Sequence, residues 1–339
     1  MFDPSKIKKI LILDFSRIGD TIMHDPAFRA IKLRFPNARL TALTDQPNFD
    51  VLLHHPAFFQ VKVFPRVRNR HTLWGFLKMM VWIRRQRFDL LINFYMGGQT
   101  ATIARYAGIP IRVSFDKKKA LCKTYNRLVA APSTYSNWMV ETHALLRPLG
   151  IDPASVWPCP RYFIPEGIKL DIDLPSHYAC YNLATSDPSK CWAVADYAKL
   201  AEALYRDKGL IPVLIGNPGQ GDLADAFFAA YPKEGPSVRL PVLRLFEVAA
   251  VLKGAMLLVT GDTGIMHLAF AIDVPTVAIF TFKRPEYAVS ATTNKMVVFR
   301  EDVSIPPIIP GQHYGVKTLS LNEVREGVEK LLVFNKKAH

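Results

Sequence analysis

The chain has four cysteines in 339 residues, Cys122, Cys159, Cys180 and Cys191. None forms a C-x-x-C pair, and no histidine stands at zinc-ligand spacing from a cysteine pair, so neither a zinc ribbon nor a disulfide scaffold is legible. Scattered thiols of this kind suit a reducing cytosol. The sequence also lacks any uninterrupted apolar window of about 18 residues, so no membrane-spanning helix is expected. The apolar run within MFDPSKIKKILILDFSRIGD is too short for a signal-peptide core and leads straight into a strand–turn pattern. Short-period repeats and low-complexity tracts are absent too. With 50% apolar and 21% charged residues the composition is that of a globular protein, and the length predicts two domains.

Acidic residues are scarce in one half only. Residues 1–150 carry 24 Lys and Arg against nine Asp and Glu, a net +15, whereas residues 151–339 carry 19 against 20. One domain should therefore attract a polyanion and the other need not.

Apolar runs alternate with helical periods. Ile7–Phe15, Leu40–Leu43, Val61–Phe64 and Leu90–Phe94 read as strands, with helices at Thr21–Phe35 and His71–Arg87. A second series has strands at Tyr178–Leu183, Ile211–Ile215, Met256–Thr260 and Val274–Phe280. Its helices are Ala193–Lys208, Asp222–Tyr231, Leu245–Lys253 and Gly264–Ile272. The stretch Trp157–Ser176 holds four prolines and no clear period, and residues 161–176 are read as the interdomain linker. This grammar predicts an α/β protein of two Rossmann-like domains facing across a cleft, residues 1–160 and 177–319. The tail 320–334 is an amphipathic helix, with Leu321, Val324, Val328, Leu331 and Leu332 on one stripe.

Chemistry should gather where strands end, because ligands of open α/β sheets bind outside the carboxyl edge. After the first strand comes Ser16-Arg17-Ile18-Gly19-Asp20-Thr21. Asp20 reads either as a helix N-cap or as a cleft carboxylate available as general base. Val259–His267 (VTGDTGIMH) ends a strand, turns on glycine and opens a helix whose free N–H groups favour an anion. There Asp262 suits a sugar hydroxyl better than a phosphate, and His267 lies one turn beyond Thr263; a capped helix with a satisfied histidine is the alternative. Leu183–Trp192 (LATSDPSKCW) places Thr185, Ser186 and Lys190 where they could hold a diphosphate, or form an ordinary polar turn. Gly216–Asp222 (GNPGQGD) runs G-x-x-G-x-G rather than G-x-G-x-x-G, a weak nucleotide-side turn with Asp222 as a possible ribose ligand.

A basic-aromatic belt runs through Arg66, Arg68, Arg70, His71, Trp74, Phe76, Lys78, Trp82, Arg84, Arg85 and Arg87. It could serve a nucleic acid, an anionic membrane surface, or simply a core-facing helix with a solvated basic side. Asp171-Ile172-Asp173 mimics a metal-binding D-x-D, but it sits in the proline-rich linker, away from any strand end.

These segments together resemble the ADP-heptose:lipopolysaccharide heptosyltransferases, glycosyltransferase family 9. RIGDTIMHDPAFRAIKLRFPNARL is similar to the family's opening strand–GD–helix segment, and FDLLINFYMGGQTATIARYAGIPIRVSFD to its second block. SNWMVETHALLRPLGI resembles the helix before its linker. NLATSDPSKCWAVADYAKLAEAL resembles the donor-phosphate block, and VTGDTGIMHLAFAIDVPTVAIF the strand–DTG–H–helix signature.

The resemblance implies a GT-B fold whose C-terminal helix returns to the first domain. It also implies inverting transfer of heptose from ADP-L-glycero-D-manno-heptose to an inner-core sugar, Kdo or heptose, without a cofactor or obligatory metal. On the family's pattern Asp20 is the catalytic base and Lys190 the donor-phosphate lysine. Thr185, Ser186, Asp222, Leu243, Asp262, Thr263, Gly264 and His267 contact the donor, with Leu243 near the adenine. The anionic lipid A–core acceptor would meet the +15 half, with Arg66, Arg68, Lys117 and Lys118 as its contacts. A cytoplasmic protein peripheral to the inner membrane, with no nucleic-acid partner, follows. Three departures stand out. Phe280-Thr281-Phe282-Lys283-Arg284-Pro285 replaces a Phe-Gly-Pro-Thr run, His24-Asp25-Pro26 replaces Thr-Thr-Pro, and Asn93 replaces Asp.

Overall fold

The computed structural model describes residues 4–64, 70–95, 97–116, 123–130, 138–185, 191–281, 285, 294–299 and 319–338. It divides into two compact units, Met1–Phe163 and Ile164–His339.

In the first unit six parallel strands form one sheet in the order β3-β2-β1-β4-β5-β6. They are β1 (Lys9–Asp14), β2 (Arg39–Thr44), β3 (Phe58–Val63), β4 (Leu90–Asn93), β5 (Ile111–Asp116) and β6 (Arg127–Ala130). Ile10–Leu13 and Leu90–Ile92 are wholly buried, as expected of parallel strands covered on both faces. Each such side chain contributes about 1.5–3 kcal/mol relative to exposure. Crossover helices include α3 (Gln46–Leu52), α4 (Arg70–Gln86) and α5 (Gly98–Tyr106); α6 (Trp138–Thr142) follows β6.

The helix expected over Thr21–Phe35 is two, α1 (Ile18–Met23) and α2 (Asp25–Arg34). Pro26 explains the break. It has no N–H to give to the preceding turn, and its ring favours the first positions of a new helix.

The second unit repeats the topology. Its strands are β7 (Tyr178–Asn182), β8 (Ile211–Leu214), β9 (Val238–Arg239), β10 (Leu257–Gly261), β11 (Thr276–Phe280) and β12 (Lys295–Phe299), all parallel, in the order β12-β11-β10-β7-β8-β9. Helices α7 (Val194–Lys208), α8 (Gly221–Ala230), α9 (Leu245–Gly254) and α10 (Gly264–Ala271) connect them. In both units the strand order reverses beside the first strand, between β1 and β4 and between β7 and β10. Crevices for ligands open at such switch points.

The tail is α11 (Leu321–Ala338). Ser320 and Glu323 cap it reciprocally: the Ser320 N–H donates to Glu323 Oε2 at 2.8 Å and the Glu323 N–H to Ser320 Oγ at 3.3 Å. Its apolar stripe packs within the second unit. Val324, Val328 and Leu331 are buried in the second unit's core, and the helix lies on β11, β12 and α7. The physical reason is the edge strand β12, whose Met296 and Val298 need a cover. Gly327 lets the helix sit close on the Val298 side chain, since a Cβ there would fall 2.7 Å from Val298 Cγ2.

Candidate functional site

In the first unit the site is built at the carboxyl end of β1. Asp14 closes that strand with no exposure. Its Oδ1 accepts from the Ser16 N–H at 3.1 Å and its Oδ2 from His24 Nδ1 at 2.8 Å. Asn48 Nδ2 holds the Ser16 carbonyl, and Thr44 Oγ1 donates to the Asp14 carbonyl at 2.6 Å. The turn carrying Arg17 and Gly19 is thus fixed from β1, β2 and α3. Asp20 is the third residue of α1, whose N-cap is Arg17, so the N-cap reading of Asp20 does not hold. Asp20 is half-buried, and its carboxylate makes no hydrogen bond or ion pair with a described residue.

The second departure from the family pattern, His24-Asp25-Pro26, has local partners. His24 pairs with Asp14. Asp25, also buried, accepts from His55 Nε2 at 2.8 Å, from Arg29 Nε at 3.0 Å and from the Arg161 N–H at 2.8 Å. His55 Nδ1 accepts from the Ala57 N–H at 3.1 Å, which assigns its proton to Nε2. His143 lies near His24; burial first, and the neighbouring imidazole second, push His143 down to about 4. The third departure, Asn93, is likewise satisfied. Its Nδ2 donates to Tyr125 Oη at 2.8 Å and reaches Thr100 and Ser114 at 3.3 Å, tying β4 to α5 and β5.

In the second unit Asn182, at the end of β7, is the hub. Its Nδ2 donates to Thr260 Oγ1 at 2.9 Å and Thr263 Oγ1 at 3.1 Å, and its Oδ1 accepts from Asn217 Nδ2 at 3.0 Å. Thr263 caps α10, accepting from the Met266 N–H at 3.3 Å. The loops after β7, β8 and β10 are thereby locked to one another. Around them, Asp262 is half-buried, His267 is buried in the first turns of α10, and Gly264 opens that helix. Thr185 is buried with Oγ1 3.3 Å from Cys191 Sγ, while its carbonyl accepts from Gln220 Nε2 at 3.3 Å.

Beside this network opens a cavity of about 320 Å³. Leu183, Ile215, Leu223, Leu240 and Val242 give it apolar walls suited to a flat ring, and Asn217, Gln220 and Arg239 supply its polar groups. Gly216 is required here because a Cβ would sit 2.5 Å from the Pro241 carbonyl oxygen. Asp222 is exposed in the first turn of α8, between the lining residues Gly221 and Leu223 but not itself lining. Leu243 is half-buried just past the lining residue Val242. Asn217 and Gln220 escaped the sequence reading; the turn that carries them was the only signal.

Ser186, Lys190, Arg66, Arg68, Lys117 and Lys118 lie outside the described residues. Among the described residues no group of three or more His, Cys, Asp or Glu is placed to hold a metal ion, and Cys159, Cys180 and Cys191 are free thiols.

Two parallel six-stranded sheets of Rossmann order, with polar loops at each switch point, are the architecture of the GT-B fold. The family model "Glycosyltransferase family 9 (heptosyltransferase)" matches residues 76–306. The chain belongs to that family. It is 27% identical over 293 residues to lipopolysaccharide heptosyltransferase 1 of Pseudomonas aeruginosa, covering 82% of this chain and 80% of the relative. With lipopolysaccharide heptosyltransferase 2 of Salmonella typhimurium it shares 23% identity, over 96% and 98% of the two chains. The solved structure of the E. coli ADP-heptose lipopolysaccharide heptosyltransferase II superposes with a TM-score of 0.80 at 19% identity, covering 97% of this chain and 99% of that one.

Proposed function

We propose that the protein transfers a heptose from ADP-L-glycero-D-manno-heptose to an inner-core sugar, Kdo or heptose, of lipopolysaccharide, with inversion at the anomeric carbon. The acceptor hydroxyl attacks C1 as the C1–O bond to the β-phosphate breaks. Its proton passes to the Asp20 carboxylate, and ADP leaves with the bonding pair. Lys190 and the amino end of α10 stabilise the negative charge that develops on ADP. Thr185 and Ser186 flank the diphosphate, Asp262 and His267 orient the heptose, and the apolar cavity after β8 takes the adenine. In this reading the ribose meets Asn217 or Gln220 rather than Asp222, because those two line the cavity. No step uses a metal.

The observation that carries the reading is the Asp20 carboxylate. It is half-buried at a switch point, on a turn fixed from three elements, with no described partner to occupy it. The likeness to lipopolysaccharide heptosyltransferases, one of them described as ADP-heptose dependent, supports this choice of donor and polymer. The basic half, with Arg66, Arg68, Lys117 and Lys118, is the acceptor side, and the protein works at the cytoplasmic face of the inner membrane. Among the described residues no helix is long and apolar enough to cross a membrane.

The test is incubation with ADP-heptose and defined truncated core acceptors, read by mass spectrometry. One heptose should be added, and Asp20→Ala should abolish transfer while ADP binding is kept. Transfer from a UDP-sugar in preference to ADP-heptose, or full activity of Asp20→Ala, overturns the reading.

A further inference from the structure

Helix α4 presents solvent with an apolar stripe that its fold does not use. Leu73, Trp74, Leu77 and Val81 are 44%, 69%, 43% and 49% exposed. At 100° per residue the four fall within one arc of about 100°. The opposite side of the helix is fully engaged: Met80 and Ile83 are buried in the first unit's core, and Phe76, Met79 and Trp82 pack against it. A contiguous exposed stripe of this kind marks an interaction surface.

Its surroundings choose the partner. Lys78, Arg84, Arg85 and Arg87 are exposed on and just beyond the same helix. Between Val51 and Phe88 the sequence has eight Lys and Arg and no Asp or Glu. Two copies meeting through this face would set like charges together, so self-association is opposed. A surface that is apolar just below an anionic layer satisfies both features at once: the large side chains enter the acyl–headgroup boundary while the cations meet phosphates.

We propose that α4 docks the protein onto anionic lipid, with Leu73, Trp74, Leu77 and Val81 inserted and Lys78, Arg85 and Arg87 on the headgroups. This deepens the proposed function, whose acceptor is itself carried by a lipid. Docking would confine enzyme and acceptor to one surface.

The experiment uses the full chain and vesicles of phosphatidylcholine with or without phosphatidylglycerol, free of donor and acceptor, so its outcome is independent of any transfer activity. Co-sedimentation is expected with the anionic vesicles only and should weaken with salt. The variant Trp74→Ser/Leu77→Ser should lose roughly tenfold or more in partitioning, with the melting temperature and transfer to a deacylated, water-soluble acceptor unchanged. Lys78→Gln/Arg85→Gln should lose the preference for anionic vesicles. The proposal is overturned if the wild type ignores anionic vesicles or if Trp74→Ser/Leu77→Ser binds as well as wild type. It is also overturned if sedimentation velocity shows a dimer that the same variant dissolves, which would make the stripe a self-interface.

Discussion

Asp14 and His24 meet at 2.8 Å with neither side chain exposed, joining the end of β1 to the turn between α1 and α2. Asp20 lies between the two in the chain and its carbonyl accepts from the His24 N–H at 3.1 Å, so the helical turn that carries the proposed base is tied to the pair. Removing one member strands the other in a dry environment. His24→Ala should lower the unfolding free energy by about 3–5 kcal/mol, measured by urea denaturation. Asp14→Ala/His24→Ala should cost less than the sum of the two single changes, because both remove the same interaction. Strict additivity would show that the two groups do not stabilise each other.

His143 gives stability an acid limb. Its imidazole is pushed from 6.5 down to about 4, by burial and then by His24, so the native state refuses a proton that the unfolded chain accepts. The contribution is complete above about pH 6.5 and is lost as pH falls toward about 4, on the order of 3 kcal/mol in all. His143→Leu should flatten this limb. Urea midpoints at pH 7 and pH 4.5 would show it, because the carboxylates common to both proteins cancel in the difference. Parallel pH profiles would mean that His143 takes up its proton as readily in the native state as in the unfolded chain.

Much of this architecture is legible in the sequence because buried parallel strands are continuous apolar runs. KILILD, LLIN and YACYN announce themselves, and each is followed by a turn that the switch-point rule makes a site. Short edges are another matter. Val238–Arg239 is two residues long and carries no periodicity. The stripe on α11 shows that the helix is buried but not against what, and only the β12 edge settles it. Asn217 and Gln220 look like ordinary turn residues. Each works through a partner 35 positions back, Asn182 Oδ1 for the first and the Thr185 carbonyl for the second. His24 and Asp25 are conspicuous as departures, yet their partners Asp14 and His55 stand ten and 30 residues away and become visible only when the chain is folded.

Gly216 is a steric requirement of the nucleotide cavity. A methyl group there meets the Pro241 and Leu240 carbonyl oxygens at 2.5 and 2.6 Å, and backbone atoms cannot rotate away. Gly216→Ala should push the 240–242 segment outward, costing about 1–3 kcal/mol of stability and weakening ADP by calorimetry. Gly219→Ala is the control: it meets open space, though its φ of +70° strains an alanine, so it should cost about 1–2 kcal/mol and leave ADP affinity nearly intact. Equal losses of ADP affinity in the two variants would place the nucleotide elsewhere.

Asn182 allows the diphosphate and adenine parts of the donor site to be separated. Asn182→Ala deletes the hub that joins Thr260, Thr263 and Asn217. It should destabilise the second unit by about 1–3 kcal/mol and weaken ADP and adenosine alike, since the whole loop cluster loosens. Asn182→Asp behaves differently. A carboxylate still accepts from Asn217 Nδ2 and, with the hydroxyls rotated, from Thr260 and Thr263, so those ties are kept, while the bond that Asn182 Nδ2 gives to the Ala184 carbonyl at 3.3 Å is lost. It sets a negative charge beneath the amino end of α10, where the diphosphate is proposed to lie. ADP affinity should fall by roughly tenfold, about 1.4 kcal/mol, less so at high salt. Adenosine, which has no phosphate, should bind as to the wild type. Equal losses for ADP and adenosine in Asn182→Asp would remove the diphosphate from α10 and with it the leaving-group role assigned to that helix.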